Sequence, residues 1–417
     1  MTSIQPLTPE ALCTQCDPAQ FSFATTAELE DLTQVLGQTR AIEALKFGIG
    51  IRRDGYNLFV LGAPGTGKRT VVRQFLDDKA AREAPPPDWC YVNNFQEAHK
   101  PRVMQLPAGT GVKLKSDMEQ LMADLRAAIP AVFESEEYRT RRQEMEEKLK
   151  EQHEQAFEEL RKEAESHSIA LVRTPSGMAF APMQKNEVVS PEEYEKLPDA
   201  DKQRIEAVIA TLEEQLAKII HQIPQWRREG QRRVRELDRE VTISAVGHLI
   251  DDLKKEYAAL PAVIDYLATT QQTVIDNVDD FRHTTEEAPE ISFLGIPVSR
   301  PGGAPSLRRY QVNVLIDNSA SKGAPVVYED NPTYAGLIGR IEHIAQMGAL
   351  VTDFMLIKPG ALHRANGGYL MLDARKVLMQ PFAWEGLKRV LSAREIRVES
   401  LGQALSLVST VSLEPEP

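Results

Sequence analysis

One stretch constrains this chain more than any other: a phosphate-binding loop that is almost complete. Gly62, Ala63, Pro64, Gly65, Thr66, Gly67, Lys68, Arg69 and Thr70 follow the apolar run of residues 56–61. The pattern G-x-x-x-x-G-K-[ST] needs its glycines so that backbone N–H groups can wrap phosphates. It needs the Lys for the terminal phosphates and the adjacent hydroxyl for Mg²⁺. Such a loop joins a strand to a helix. Residues 57–61 accordingly read as a short buried strand, 70–81 as the helix after the loop and 89–93 as a second strand. This βαβ order points to an α/β core. The defect is Arg69, which stands where the hydroxyl belongs. Thr70 comes one residue late, and one residue turns a helical side chain by ~100°.

Composition divides the chain into three regions. Residues 1–115 alternate helical and strand-like stretches and read as the first part of the core. Residues 286–417 return to mixed α/β and read as its second part. Between them, residues 116–285 read as a helical, coiled-coil-like insert. Residues 134–165 are charged, with a thin apolar line of Tyr138, Met145, Leu149, Ala156 and Leu160. Ile205, Ile209, Leu212, Leu216, Ile219 and Ile223 then repeat at three and four residues as far as Pro224. Val234, Leu237, Val241, Leu249, Leu253, Tyr257 and Leu260 do the same as far as Pro261. Such stripes let antiparallel helices bury a shared seam. Arg142 and Gln152 interrupt the heptads, which favours a helical insert over a long regular coiled coil.

A hairpin is predicted near 168–183, with strands 169–174 and 178–183 around Pro175-Ser176-Gly177. Its Met178 and Phe180 either pack on the insert or face a protein client. Ser190 to Glu193 form a capping box, with Pro191 at the first helical position.

Bulk composition excludes several classes. Forty-nine basic against 61 acidic residues give a net charge of −12, which argues against a nucleic-acid partner. The basic cluster Arg227, Arg228, Arg232 and Arg233 reads as a solvated helix face. No apolar run approaches the roughly 18 residues of a membrane span, and the N-terminus shows no secretion signal. A cytoplasmic location is expected. The cysteines, Cys13, Cys16 and Cys90, are an odd and sparse set that suits reduced thiols. Cys13 and Cys16 have C-x-x-C spacing, but no second pair completes a zinc site.

A second nucleotide element lies near the other end. Tyr369, Leu370, Met371 and Leu372 run into Asp373. An apolar strand ending in an acid matches a Walker B strand, whose Asp helps to hold Mg²⁺. In hydrolysing enzymes of the AAA+ class the next residue is Glu, which polarises the attacking water. Here it is Ala374. General-base help is worth ~10²–10⁴-fold, so slow turnover is expected. Both defects fall on hydrolysis, while the phosphate-cradling parts are kept. Two further readings stay open: a loop that binds nothing, and a working ATPase that places Thr70 on the metal.

Several long segments resemble one family. Glu329-Asp-Asn-Pro-Thr-Tyr-Ala-Gly-Leu-Ile-Gly-Arg-Ile-Glu342 is similar to a segment of Lon-type ATP-dependent proteases of the B-like branch. So is Lys358-Pro-Gly-Ala-Leu-His-Arg-Ala-Asn-Gly-Gly-Tyr-Leu-Met-Leu-Asp373. Residues 88–95, Leu106-Pro-Ala-Gly109, Cys16-Asp-Pro18 and Gly37-Gln38 resemble the same group. The resemblance implies an AAA+ P-loop NTPase-like core that binds ATP or ADP with Mg²⁺ at Asp373. It implies a ring, a hexamer in the parent protein, feeding unfolded or damaged proteins to a Ser–Lys protease domain. No segment here resembles the one that carries the catalytic serine, so the chain reads as an N-terminal fragment that does not cleave peptides itself. Arg69 and Ala374 resemble degenerate C-type members, whose module serves as scaffold and gate. The family's aromatic-hydrophobic pore loop falls on Phe354 and Met355. The rival reading there is a buried strand over 349–357. His363 reads as structural.

Overall fold

A computed structural model describes the chain apart from residues 1–5, 14–15, 31–37, 52, 54, 175–176, 185–186, 189–197, 283–291, 294–295, 298–304, 347–348 and 400–412. Two compact units divide it, Met1–Glu83 and Ala84–Pro417.

The first unit centres on two helices, α1 (Thr39–Gly50) and α2 (Lys68–Ala80). Leu58 packs on Gly48 of α1, where an added Cβ would come within 2.3 Å of Leu58 Cδ2. The Lys79 ammonium donates to the Ile49 carbonyl, and Lys46 lies over the Phe75 ring. The strand expected at 57–61 does not form. Phe59 and Leu61 are 74% and 84% exposed. A strand is held by its neighbours' hydrogen bonds, and this unit has no other strand among its described residues.

The second unit begins with a three-stranded antiparallel sheet. Strand β1 (Asp88–Val92) lies between β2 (Arg102–Leu106) and a later strand, Val312–Ile316. The strand read at 89–93 therefore exists, but it runs antiparallel to both neighbours, where a βαβ order would make it parallel. Side chains alternate across the sheet as the pleat requires. Cys90 and Val92 join the core under the helices, and Tyr91 joins a second core with Ile357 and Phe354.

Two long helices follow β2, namely α3 (Thr110–Phe133) and α4 (Glu136–Ser166). Next comes a hairpin of β3 (Ile169–Thr174) and β4 (Gly177–Gln184), in register from Ile169↔Pro182 to Thr174↔Gly177. Its tip at 175–176 lies outside the described residues, as does the capping box at 190–193. Phe180 packs on the neighbouring helices, while Met178 is exposed. The long α5 (Asp199–Glu256) returns along α4, and α6 (Pro261–Asp276) closes the bundle. Contacts fix an antiparallel seam: Tyr138 with Asp238, Leu149 with Gly230, His153 with Trp226 and Gln215 with Glu163.

The stop expected at Pro224 does not occur, because α5 runs straight through it. An interior Pro costs about 3 kcal/mol. Burial on both sides offsets this, with Leu212 and Leu216 before the Pro and Leu237 after it. Pro261, by contrast, starts α6 as its first residue, where its missing N–H costs nothing.

The remaining part is mixed. Strand β5 (Val312–Ile316) completes the antiparallel sheet. Strand β6 (Val326–Glu329) pairs in parallel with a strand at Tyr369–Leu372. Between them come α7 (Tyr334–Ile338), a hairpin of β7 (Ile344–Gln346) and β8 (Ala349–Val351), and α8 (Ala361–Arg364). Strand β9 (Tyr369–Leu372) leads into α9 (Ala374–Met379) and α10 (Ala383–Ala393). Leu337, Ile338, Ala361, Val377 and Leu387 form the core behind β6 and β9.

Candidate nucleotide loop and acidic strand ends

Residues 62–70 fold as a loop running into the start of α2. Gly65 and Gly67 have φ of +79° and +75°, the left-handed region that glycine enters without a Cβ clash. Gly67 is the residue before the helix, and its carbonyl accepts from Val71 N at 3.0 Å. The Thr66 hydroxyl donates to Ala63 O at 2.9 Å. The Lys68 ammonium donates to Ala63 O at 2.9 Å and to Gly62 O. The loop thus lies at the positive end of a 13-residue helix, the arrangement that favours a bound anion. Arg69 and Thr70 are both exposed, one residue apart on the first turn.

The acidic element lies in the second unit. Register in the parallel pair sets Leu372 opposite Glu329, so Asp373 and Asp330 follow at the ends of adjacent strands. Glu329 accepts from Arg364 Nη2 at 2.7 Å and from Asn331 N at 3.0 Å. Asp330 accepts from Tyr328 OH at 3.2 Å. Lys376 Nζ donates to Asp330 Oδ1 at 2.7 Å and to its carbonyl at 3.0 Å. The Asp330 carboxylate raises the Lys376 pKa, with a smaller push from Asp373. Asp373 Oδ1 accepts from Lys376 N at 3.2 Å and caps α9. Ala374 is exposed and brings no carboxylate.

Mg²⁺ is the metal expected at Asp373, where one or two carboxylates hold it together with substrate phosphates and water. The metal wants near-octahedral oxygens with several waters. Here Asp373 caps a helix and Asp330 already holds an ammonium. No group of three or more His, Cys, Asp or Glu side chains suited to a metal occurs among the described residues. Asp373, expected to serve the metal, here caps α9 through Oδ1. Asp330, Glu329, Arg364 and Lys376 were not singled out from the sequence. The spacing of Lys376, three residues after Asp373, was the signal available for it.

The expected pore residues lie elsewhere. Phe354 begins a single 3₁₀ turn (Phe354–Leu356) and is buried at 4% exposure. Its carbonyl accepts from Asn313 Nδ2 at 2.7 Å. Met355 packs against the same core. A side chain held in a core cannot grip a passing chain. The exposed apolar residues of this region are Ile344 on β7 and Leu350 on β8, at 39% and 47%.

His363 serves the fold, as the sequence suggested. It is buried, and its Nδ1 accepts from Gly360 N at 3.2 Å. Burial lowers its pKa from the ordinary 6.5 to about 4. Above pH 6.5 both folded and unfolded states are neutral. As pH falls from 6.5 towards 4, the unfolded chain takes up a proton that the folded one refuses, and stability is lost. The loss approaches about 3 kcal/mol. In urea unfolding at a series of pH values, His363→Asn should flatten the slope in this window relative to wild type; parallel slopes would contradict this assignment.

Cys13 and Cys16 are exposed, and Cys16 Sγ accepts from Gln20 Nε2 at 3.0 Å. Cys90 is buried, and burial with Asp88 and Asp317 nearby pushes its thiol up to about 12. No helix among the described residues is long and apolar enough to cross a membrane.

Two family models match segments of the chain. A LonB-like AAA domain matches residues 322–417, which include β6, β9 and Asp373. A Lon-like LonC helical domain matches residues 88–121, which include β1, β2 and the start of α3. Neither includes the loop at 62–70. No curated protein matches the chain.

Proposed function

We propose that this chain, two segments of which match models of a LonB-like AAA domain and a Lon-like LonC helical domain, is a nucleotide-binding, substrate-handling module of a Lon-type serine protease. Its ATP hydrolysis is impaired, and the peptide-cleaving Ser–Lys pair is no part of these 417 residues. The module works in a cytoplasmic ring, a hexamer, that receives unfolded or damaged proteins. One observation carries the nucleotide reading: the loop at 62–70 keeps the glycine geometry and the helix N-terminus of an anion cradle. ATP or ADP binds there through its phosphates, with Lys68 on the terminal groups. Ala374 and Arg69 support slow hydrolysis, since neither supplies a base nor a metal-binding hydroxyl. Exposed Ile344 and Leu350 support contact with unfolded chains in place of Phe354 and Met355.

Calorimetry and phosphate release on the full chain test this together. ADP and ATP are expected to bind, and Lys68→Ala is expected to weaken binding by at least about tenfold, the loss of one charge-assisted contact to phosphate. Phosphate release should stay slow in wild type. It should also stay slow in Ala374→Glu, because Arg69 remains. An absence of heat at millimolar nucleotide removes the binding claim. Brisk turnover that Lys68→Ala abolishes removes the claim of impairment.

A further inference from the structure

We infer that the outer edge of β2 is a strand-addition site for an extended Leu-Glu-Pro-Glu segment, and that residues 413–416 of the same chain fill it as a releasable strap. Both partners lie in the second unit. In the antiparallel sheet β2 is an edge strand, with β1 as its neighbour on one side. An edge offers its unpaired N–H and C=O groups to any extended chain.

The added segment reads that edge with alternate residues. Glu414 N donates to His99 O at 2.7 Å, and Glu416 N to Pro101 O at 3.1 Å. Numbers rise together on both sides, so the segment runs parallel to β2. The next rung of a parallel ladder would bring Val103 N to the Glu416 carbonyl. Val103 N instead donates to the Glu416 carboxylate at 2.9 Å, and that carbonyl accepts from Tyr91 OH at 2.6 Å. Tyr91 stands opposite Val103 on β1 and reaches across the edge. Leu413 anchors the segment in the second core, which Tyr91 and Val398 share.

The prolines fit the same arrangement. Successive N–H groups of a strand point to opposite sides, so Pro415 and Pro417 fall on the side away from β2, where a missing donor breaks no rung. They also deny that side to a further strand, as native sheet edges do. Two backbone bonds, two bonds from side chains and one buried apolar residue hold the strap. Pairing this short is marginal by itself, so the strap opens at the low end of the local stabilities. The uncovered edge then takes another extended peptide through the same backbone bonds, and the Leu413 socket sets the choice of side chain.

Hydrogen exchange on the full chain reads the strap without any substitution. The Glu414 and Glu416 amides should be protected, though less than those of β1 in the middle of the sheet. Exchange at the rate of an unstructured chain would overturn the strap. Fluorescence polarisation with a labelled Ser-Leu-Glu-Pro-Glu-Pro peptide reads the site. Wild type, with its own segment in place, should bind the peptide weakly. Glu414→Pro removes the strap's donor to His99 O and leaves the site intact, so it should bind at least about tenfold more tightly. Tyr91→Phe in that background should weaken binding again. A peptide N-methylated at both Glu positions should not bind. Protection of Cys90 from a thiol reagent shows that Glu414→Pro is folded; should it fail, Leu413→Ala takes its place with the same gain expected. Equal affinity in wild type and variant, no binding by either, or undiminished binding of the methylated peptide would each overturn strand addition.

Discussion

Replacing Asp88 by Ala should unfold the join between the antiparallel sheet and α3, at a cost of about 3–6 kcal/mol. Asp88 is fully buried, and its two oxygens serve different segments. Oδ2 accepts from Gly111 N and Oδ1 from Asn318 N, each at 2.8 Å. Hydrogen bonds to a charged group are worth about 1.5–3 kcal/mol apiece. Ala removes both and leaves two buried N–H groups without acceptors. Water cannot repair the gap without opening the site. The loss is a large fraction of a domain's whole stability of roughly 5–15 kcal/mol. Asp88→Asn keeps one acceptor and turns an amide donor toward the other N–H, so it should fall between the two. Cys90 gives a local readout beside urea unfolding. In wild type a thiol reagent at pH 8 should titrate the exposed Cys13 and Cys16 quickly and spare Cys90. In Asp88→Ala all three should react. A stability loss below about 1 kcal/mol, with Cys90 still protected, would contradict the role assigned to Asp88.

Local pattern made the helices and the hairpin legible. The stripes from Ile205 and from Val234 mark one continuous helix face, and the strands at 169–174 and 178–183 pair as read. Such periodicities follow from burial on one side, which the sequence records residue by residue. The failures share a cause. Residues 57–61 are apolar enough for a buried strand, but a strand needs partners that no local pattern guarantees. Pro224 reads as a stop by local rule, and only the seam with α4, far away in sequence, overrides it. Phe354 and Leu350 are equally apolar in the sequence, yet one is core and the other surface, because Leu350 lies in the two-stranded hairpin of β7 and β8 while Phe354 starts the 3₁₀ turn that packs on the second core.

The candidate site shows the same division. Gly65 and Gly67 were readable as left-handed turn positions ahead of the helix that Lys68 opens, because glycine spacing records where the backbone needs a positive φ. Asp373 was readable as the end of an apolar strand, but its employment was not. Whether that carboxylate faces a metal or caps a helix depends on Lys376 and on the register with β6. Register is a pairing property, and it places Asp330 beside Asp373 across more than forty intervening residues.

The glycines separate the loop from the scaffold in a way experiment can read. Gly360 has an ordinary φ of −95°, but an added Cβ would sit 2.2 Å from Leu337 O and 2.4 Å from Gly339 N. At Gly368 it would sit 2.1 Å from Pro325 O. Both clashes are with backbone, which no rotamer change relieves, so Gly360→Ala and Gly368→Ala should each cost about 3 kcal/mol or more. At Gly65 and Gly67 an added Cβ meets nothing within 4 Å, and only the positive φ opposes it. Their Ala variants should cost about 1–2 kcal/mol locally and leave the second unit's unfolding midpoint unmoved. Binding should follow the opposite order. Gly67→Ala reshapes the turn whose N–H groups would face phosphate, so nucleotide affinity should drop while the fold persists. Gly368→Ala acts through register, because Tyr369 N donates to Pro325 O at 2.8 Å and starts the pairing of β9 with β6. Displacing that first bond slides Asp373 away from Asp330 and separates Lys376 from its partner. A Gly368→Ala protein as stable as wild type, or a Gly67→Ala protein with unchanged nucleotide affinity, would show that these glycines have the wrong tasks assigned to them.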